Sequence, residues 1–66
     1  MTVIFNGESR EVADHATISD VLAQFDLTSQ RVAVEVNLEL IPRGQHAQHV
    51  LRDGDRLEVV TLVGGG

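Results

Sequence analysis

Three consecutive glycines, Gly64, Gly65 and Gly66, end the sequence and carry its terminal carboxylate. Because glycine has no side chain and a permissive backbone, such a segment can enter a narrow channel in another protein. A carboxylate becomes a useful electrophile only when one of its oxygens is turned into a leaving group, as in a mixed anhydride formed with ATP. The chain has no glycine-rich phosphate-binding loop with a lysine, so we expect another protein to bind that ATP. A frayed terminus or a cloning remnant is the alternative interpretation.

The other candidate groups form weaker patterns. His46 and His49 are spaced to share one face of a helix, but two ligands without a third make a poor zinc site, and we expect both to be exposed. Asp53 and Asp55 flank a glycine, which is ordinary turn chemistry. The serines have no partners in a nucleophile pattern, and the chain has no cysteine. These residues predict no catalysis and no metal site.

Length and charge narrow the function further. Sixty-six residues allow one small domain, predicted over residues 1–63 with residues 64–66 as a flexible tail. Ten acidic residues against five arginines give a net charge of −5. Without a basic stripe, nucleic acid is not an expected partner, and the acidity suits a basic protein partner or solubility alone. No apolar run exceeds four residues and no basic signal-peptide region begins the chain, so we expect a cytoplasmic protein without a membrane span.

A β-hairpin is predicted at the start of the chain. Met1–Phe5 is rich in strand-forming residues, and Asn6-Gly7 favours a tight turn whose central residues both have positive φ. Glu8–Val12 would return antiparallel and place Arg10 opposite Val3. Because the Arg10 head must reach water, we expect this strand at an edge of the sheet.

One amphipathic helix is predicted next. Thr17 and Asp20 have the spacing of a capping box. Apolar residues then recur at helical spacing: Ile18, Val21, Leu22 and Phe25. A helix of about ten residues is unstable alone, so this stripe must pack on a sheet.

Three further strands are predicted from alternating or β-branched residues: Arg31–Asn37, Leu38–Ile41 and Arg56–Val63. The segment 43–51 is ambiguous and could form a helical turn. Its inward residues would then be Ala47, Val50 and Leu51. Gly54, between two aspartates, predicts a turn before the last strand.

The elements predict an α+β fold of the β-grasp (ubiquitin-like) type, a mixed sheet of four or five strands wrapped over one main helix. The first and last strands, as the most β-prone, should be central neighbours. Such a two-layer fold leaves one sheet face uncovered, and Ile4, Val60 and Leu62 should point to that face. Clustered exposed apolar residues mark an interaction site, so we expect these three to bind a partner. Coverage by long loops is the alternative.

Five segments spread over the chain form a combined pattern: Phe5-Asn6-Gly7, Val34-Glu35-Val36-Asn37, Ile41-Pro42-Arg43, Asp53-Gly54-Asp55 and the final Val-Gly-Gly-Gly. This pattern resembles the ThiS family of sulfur carrier proteins in thiamine biosynthesis. The resemblance implies a β-grasp protein with no catalysis and no cofactor of its own. It implies that a ThiF-like adenylyltransferase uses ATP to adenylate the carboxylate of Gly66. Sulfur from a cysteine desulfurase route would then give a thiocarboxylate, which donates sulfur to a ThiG-like thiazole synthase.

By the same resemblance, Gly65 is the second of the paired glycines and Gly64 adds reach. Two alternatives remain open. The small subunit of molybdopterin synthase also carries sulfur on terminal glycines, although this chain is shorter than is usual there. A non-catalytic ubiquitin-like adaptor would bind a partner through its exposed sheet while its tail stays inert.

Overall fold

A five-stranded mixed sheet packs on one helix in the computed structural model, which describes residues 1–62. The elements in chain order are β1 (Thr2–Phe5), β2 (Glu8–Glu11), α1 (Ile18–Gln24), β3 (Val32–Val36), β4 (Glu39–Ile41), a 3-10 turn (Arg43–Gln45) and β5 (Arg56–Thr61). The strand order is β2-β1-β5-β3-β4. β1 and β5 pair in parallel, whereas the other three pairings are antiparallel. The predicted β-grasp arrangement and the adjacency of the first and last strands are confirmed.

The N-terminal hairpin forms as predicted. Asn6 and Gly7 have φ values of 49° and 84°, and Arg10 lies opposite Val3. β2 is an edge strand, so the Arg10 guanidinium reaches solvent. It forms an ion pair with Glu8 at 2.9 Å, and its central carbon lies 5.4 Å from the centre of the Phe25 ring. Arg10 therefore covers the core with its stem while its charge stays hydrated.

The side chain of Asn6 extends the pairing of β1 with β5. Its Oδ1 accepts from the Val59 amide at 2.8 Å, and its Nδ2 donates to the Val59 carbonyl at 3.1 Å. Its backbone amide donates to the Leu57 carbonyl at 2.9 Å. The Asn6 amide group thus takes the place of a strand backbone beyond the last residue of β1. The sequence pattern assigned Asn6 only to the turn, although asparagine also carries both a donor and an acceptor.

The helix begins at the predicted capping box. The Thr17 hydroxyl accepts from the Asp20 amide at 3.1 Å, and the Asp20 carboxylate accepts from the Thr17 amide at 2.9 Å. Seven residues cannot sustain a helix in water, so α1 depends on the burial of Ile18, Val21 and Leu22. Phe25 caps the end of the helix rather than lying within it.

The core lies between α1 and the inward face of the sheet. Its buried strand residues are Val3, Val34, Val36, Ile41, Leu57 and Val59. The predicted alternation in β3 and β5 is confirmed, because the intervening residues point away from α1. Val63 and the tail, residues 64–66, lie outside the described residues.

In the segment 43–51, two predictions about which side chains are buried are wrong. Leu51 is buried as expected, but Ala47 and Val50 are exposed, and His46 is buried instead at 5% exposure. The His46 Nε2 lies 3.0 Å from the Ile41 carbonyl, to which it donates. This bond satisfies the ring inside the protein, so the expectation that both histidines are exposed is wrong for His46. His49 is half-buried.

A second tight turn joins β3 to β4. Asn37 and Leu38 have φ values of 51° and 70°, the same left-handed pair as in the first hairpin, but with leucine where the first has glycine. β4 therefore begins at Glu39, not at Leu38 as predicted. Leu38 is 85% exposed, so no burial offsets its backbone strain.

Replacing Leu38 by glycine should therefore stabilise the domain. Relief of a left-handed conformation is worth about 1–2 kcal/mol, and glycine's greater freedom when unfolded costs about 0.5–1 kcal/mol. We expect Leu38→Gly to raise the free energy of unfolding by about 0.5–1 kcal/mol in urea titrations. Leu38→Ala keeps the strain and should change little. An equal gain in both variants would show that side-chain exposure, not backbone strain, is the cause.

Removing the Asn6 side chain should destabilise the domain without disturbing the turn. Glycine tolerates the same φ, so Asn6→Gly deletes only the two bonds to Val59 and should cost about 1–2 kcal/mol of unfolding free energy. Asn6→Asp keeps the acceptor but loses the donor, and it should also be less stable than the wild type. If both variants unfolded at the wild-type urea concentration, the claim that the bonds from Asn6 to Val59 stabilise the domain would be wrong.

Candidate functional site at the end of the central strand

The last described residues lie at the end of the central strand. β5 pairs with β1 at Arg56 and Leu57 and with β3 as far as Thr61, which lies opposite Val32. The Leu62 amide then donates to the Arg31 carbonyl at 2.8 Å, so pairing extends to the last described residue. The point from which the chain continues toward Gly66 is therefore fixed relative to the sheet.

The turn before β5 fixes the other end of that strand. The Asp53 carboxylate accepts from the Thr2 amide at 2.8 Å. The Asp55 carboxylate accepts from the Arg52 amide at 2.8 Å and from the Asn37 side chain at 3.0 Å. Both carboxylates are thus occupied in bonds that shape the turn, as the Asp-Gly-Asp pattern predicts.

The outward face, defined as the side of the sheet away from α1, carries the residues predicted to bind a partner. Val60 and Leu62 are 59% and 54% exposed, whereas Ile4 is half-buried. Ile4 lies beside Arg56, four residues before Val60 on β5. At about 3.3 Å per residue the separation along the strand is about 13 Å. The structure therefore brings Val60 and Leu62 together and leaves Ile4 apart; partner binding by the three stays a prediction.

Two further apolar residues of the outward face were not singled out from the sequence. Ala33 lies directly opposite Val60, and Leu40 lies opposite Glu35 and is 63% exposed. Leu40 alternates with the buried Ile41, and this alternation is the signal that could have identified it. The apolar part of the outward face thus extends across β5, β3 and β4.

The N-terminal ammonium group lies at the far end of β1 from the exit of the chain. It donates to the Val12 carbonyl at 2.9 Å and to the Asp14 carboxylate at 3.1 Å. The bond with Asp14 is the main cause that raises the pKa of this ammonium above its usual value. A raised pKa stabilises the fold below the unfolded pKa, and the contribution is lost as the pH rises through the folded one. These contacts anchor β1 and lie away from the point where the chain continues toward Gly66.

Metal and membrane sites are not indicated by the described part of the chain. Within residues 1–62, no three histidine, cysteine, aspartate or glutamate side chains are grouped so that they could hold a metal ion. No helix in the same range has the length and apolarity needed to cross a membrane.

Comparisons with known proteins relate this chain to one family. The ThiS family model matches residues 3–66. The sulfur carrier protein ThiS of Escherichia coli is 32% identical over 66 residues, which cover the whole of both chains. A thiazole synthase of Paramagnetospirillum magneticum is 41% identical over all 66 residues of this chain, which span only 20% of that protein.

A solved structure of another protein has the same fold as this chain. The crystal structure of the thiamine biosynthesis protein ThiS from Geobacter metallireducens superposes with a TM-score of 0.84, at 28% identity and over the whole of both chains. The family model covers residues 3–66 and this superposition covers the whole chain. The chain therefore belongs to the ThiS family, the family of the sulfur carrier proteins to which it is similar.

Proposed function

We propose that this chain is a sulfur carrier of thiamine biosynthesis whose reactive group is the carboxylate of Gly66. The observation that carries the proposal is the ThiS family match, which runs through the domain to residue 66. The end-to-end similarity to the E. coli carrier supports it. β5 supports it physically, because a strand that pairs with β1 at its start and with β3 to its end leads toward the glycines.

The chemistry needs two steps, activation of the Gly66 carboxylate and replacement of one of its oxygens by sulfur. A carboxylate oxygen of Gly66 attacks the α-phosphorus of ATP, pyrophosphate leaves and an acyl adenylate forms. The outer sulfur of a persulfide, the form in which a cysteine desulfurase delivers sulfur, then attacks the acyl carbon, AMP leaves and an acyl disulfide forms. A thiol of a partner protein attacks the donor's sulfur in that S–S bond, so that the donor and the thiol are joined as a disulfide and the acyl group keeps one sulfur. The product is a thiocarboxylate, whose sulfur passes to a thiazole synthase. Both steps are carried out by partner enzymes, so this chain consumes no cofactor of its own.

The partners follow from the same chemistry. A ThiF-like adenylyltransferase would bind the ATP and the glycine tail, since glycine allows the terminus to enter a narrow site. A ThiG-like thiazole synthase would receive the sulfur. The similarity of this whole chain to one fifth of a thiazole synthase supports that second partner. An inert-tail adaptor would use neither enzyme, and modification of the tail distinguishes the two functions.

Modification of the terminus is the direct test. Incubation with ATP and the cognate ThiF-like enzyme should add one adenylyl group, measured as intact mass. With a sulfur donor present, the product should be heavier than the starting protein by about 16 Da, the difference between sulfur and oxygen. A chain lacking Gly66 should gain neither mass.

Gly65→Ala provides the matched control for folding. It should react more slowly yet unfold at the wild-type urea concentration, because a tail residue contributes little to a core. An unmodified wild-type protein in the presence of an active enzyme, or a modified chain lacking Gly66, would contradict the proposal.

The outward face should also matter for activation. Val60→Asp and Leu62→Asp place a charge among exposed apolar residues, and each should weaken binding of the ThiF-like enzyme by about tenfold. The urea midpoint should change little, because both side chains are more than half exposed. Thr28→Asp, outside the outward face, is the control and should bind normally. Unchanged binding of both substituted proteins would refute this role for the face.

A further inference from the structure

Two carboxylates lie directly opposite each other on the outward face. Glu35 of β3 and Glu58 of β5 are cross-strand partners, and both point away from α1. Paired residues in such a ladder have Cα atoms about 4.5–5.5 Å apart, and like charges at this spacing destabilise a sheet. No ion pair found within residues 1–62 involves either carboxylate. The sheet thus keeps an unfavourable pair in its interior strands.

The surroundings of this acidic pair are apolar on two sides. Leu40 lies on the other side of Glu35, and the Ala33–Val60 pair forms the next row toward the chain exit. Leu40 and Val60 are both more than half exposed. Solubility alone would be served by acids at any surface position, without two placed opposite each other among exposed apolar side chains. Arg56, two residues before Glu58 on the same face of β5, takes part in none of the ion pairs found within residues 1–62. The arrangement therefore has the composition of an interface whose polar centre lacks its partner.

We propose that the outward face docks on a protein surface that places an arginine guanidinium between Glu35 and Glu58. A guanidinium is planar, carries five donors and can bond to two carboxylates at once. Leu40 and Val60 would exclude water around it, which strengthens charge-assisted hydrogen bonds. The inference rests on the proposed function in one respect, since it assigns this arginine to the ThiF-like activating enzyme. The net charge of −5 would also steer the chain toward a basic surface.

Neutralising each acid separately tests the proposal. Glu35→Gln and Glu58→Gln should each raise the Kd for the cognate ThiF-like enzyme about tenfold, as expected for loss of a bond to a charged group. Their urea midpoints should equal or exceed that of the wild type, because the repulsion is removed. Glu39→Gln makes the same change in net charge on the opposite side of β4 and should leave the Kd within about twofold. Salt should weaken wild-type binding more than binding of either substituted protein.

A charge reversal separates docking from folding. Glu58→Arg creates an opposite-charge pair with Glu35, so it should raise the urea midpoint while binding less tightly than Glu58→Gln. If Glu35→Gln and Glu58→Gln bind like Glu39→Gln while the wild type is still adenylated, the docking inference is wrong and the proposed function stands. If their binding to a ThiG-like synthase alone is weakened, the assignment to the activating enzyme is wrong. A wild-type chain that the enzyme neither binds nor adenylates would overturn the proposed function itself.

Discussion

Parallel pairing of the first and last strands is the constraint on which the rest of the structure depends. Phe5 lies beside Leu57, and the Asn6 amide group continues the pairing to Val59. Since parallel neighbours cannot be joined by a tight turn, the intervening chain must cross over, and that crossover supplies α1 and the core. The same pairing puts the C-terminal strand inside the sheet. Pairing with β3 continues to the end of this strand and gives the residues after it a fixed starting point.

The two faces of this sheet differ in composition and in what they contribute to the protein. The inward face buries valines, leucine and isoleucine against α1 and accounts for the stability of the domain. The outward face carries features that cost stability or solubility, namely the opposed Glu35 and Glu58 and the exposed Leu40 and Val60. The proposed function, with its reaction on the terminus, needs only a rigid body and a recognisable surface. The division between the two faces fits that requirement.

Local patterns made most of the fold predictable, whereas contacts between distant segments did not. The Asn6-Gly7 turn and the helix cap depend on neighbouring residues and follow from the sequence. The burial of His46 depends on a 3-10 turn that brings its ring to the Ile41 carbonyl. No periodic pattern of apolar residues in the sequence indicates that contact. The bonds from Asn6 to Val59 join residues 53 positions apart and were missed for the same reason. The glycine tail was identified by composition, and its role stays a prediction.

Native-state hydrogen exchange of the β5 amides tests the central claim, that the strand leading to the glycine tail is part of the rigid core. The structure predicts that the amides of Leu57 and Val59 exchange only through global unfolding, with the same opening free energy as core amides such as Val34. The same result is predicted for a chain lacking Gly66. If Leu57 and Val59 instead opened at a lower free energy than Val34, β5 would be a detachable arm, and the claim that it belongs to the rigid core would be contradicted.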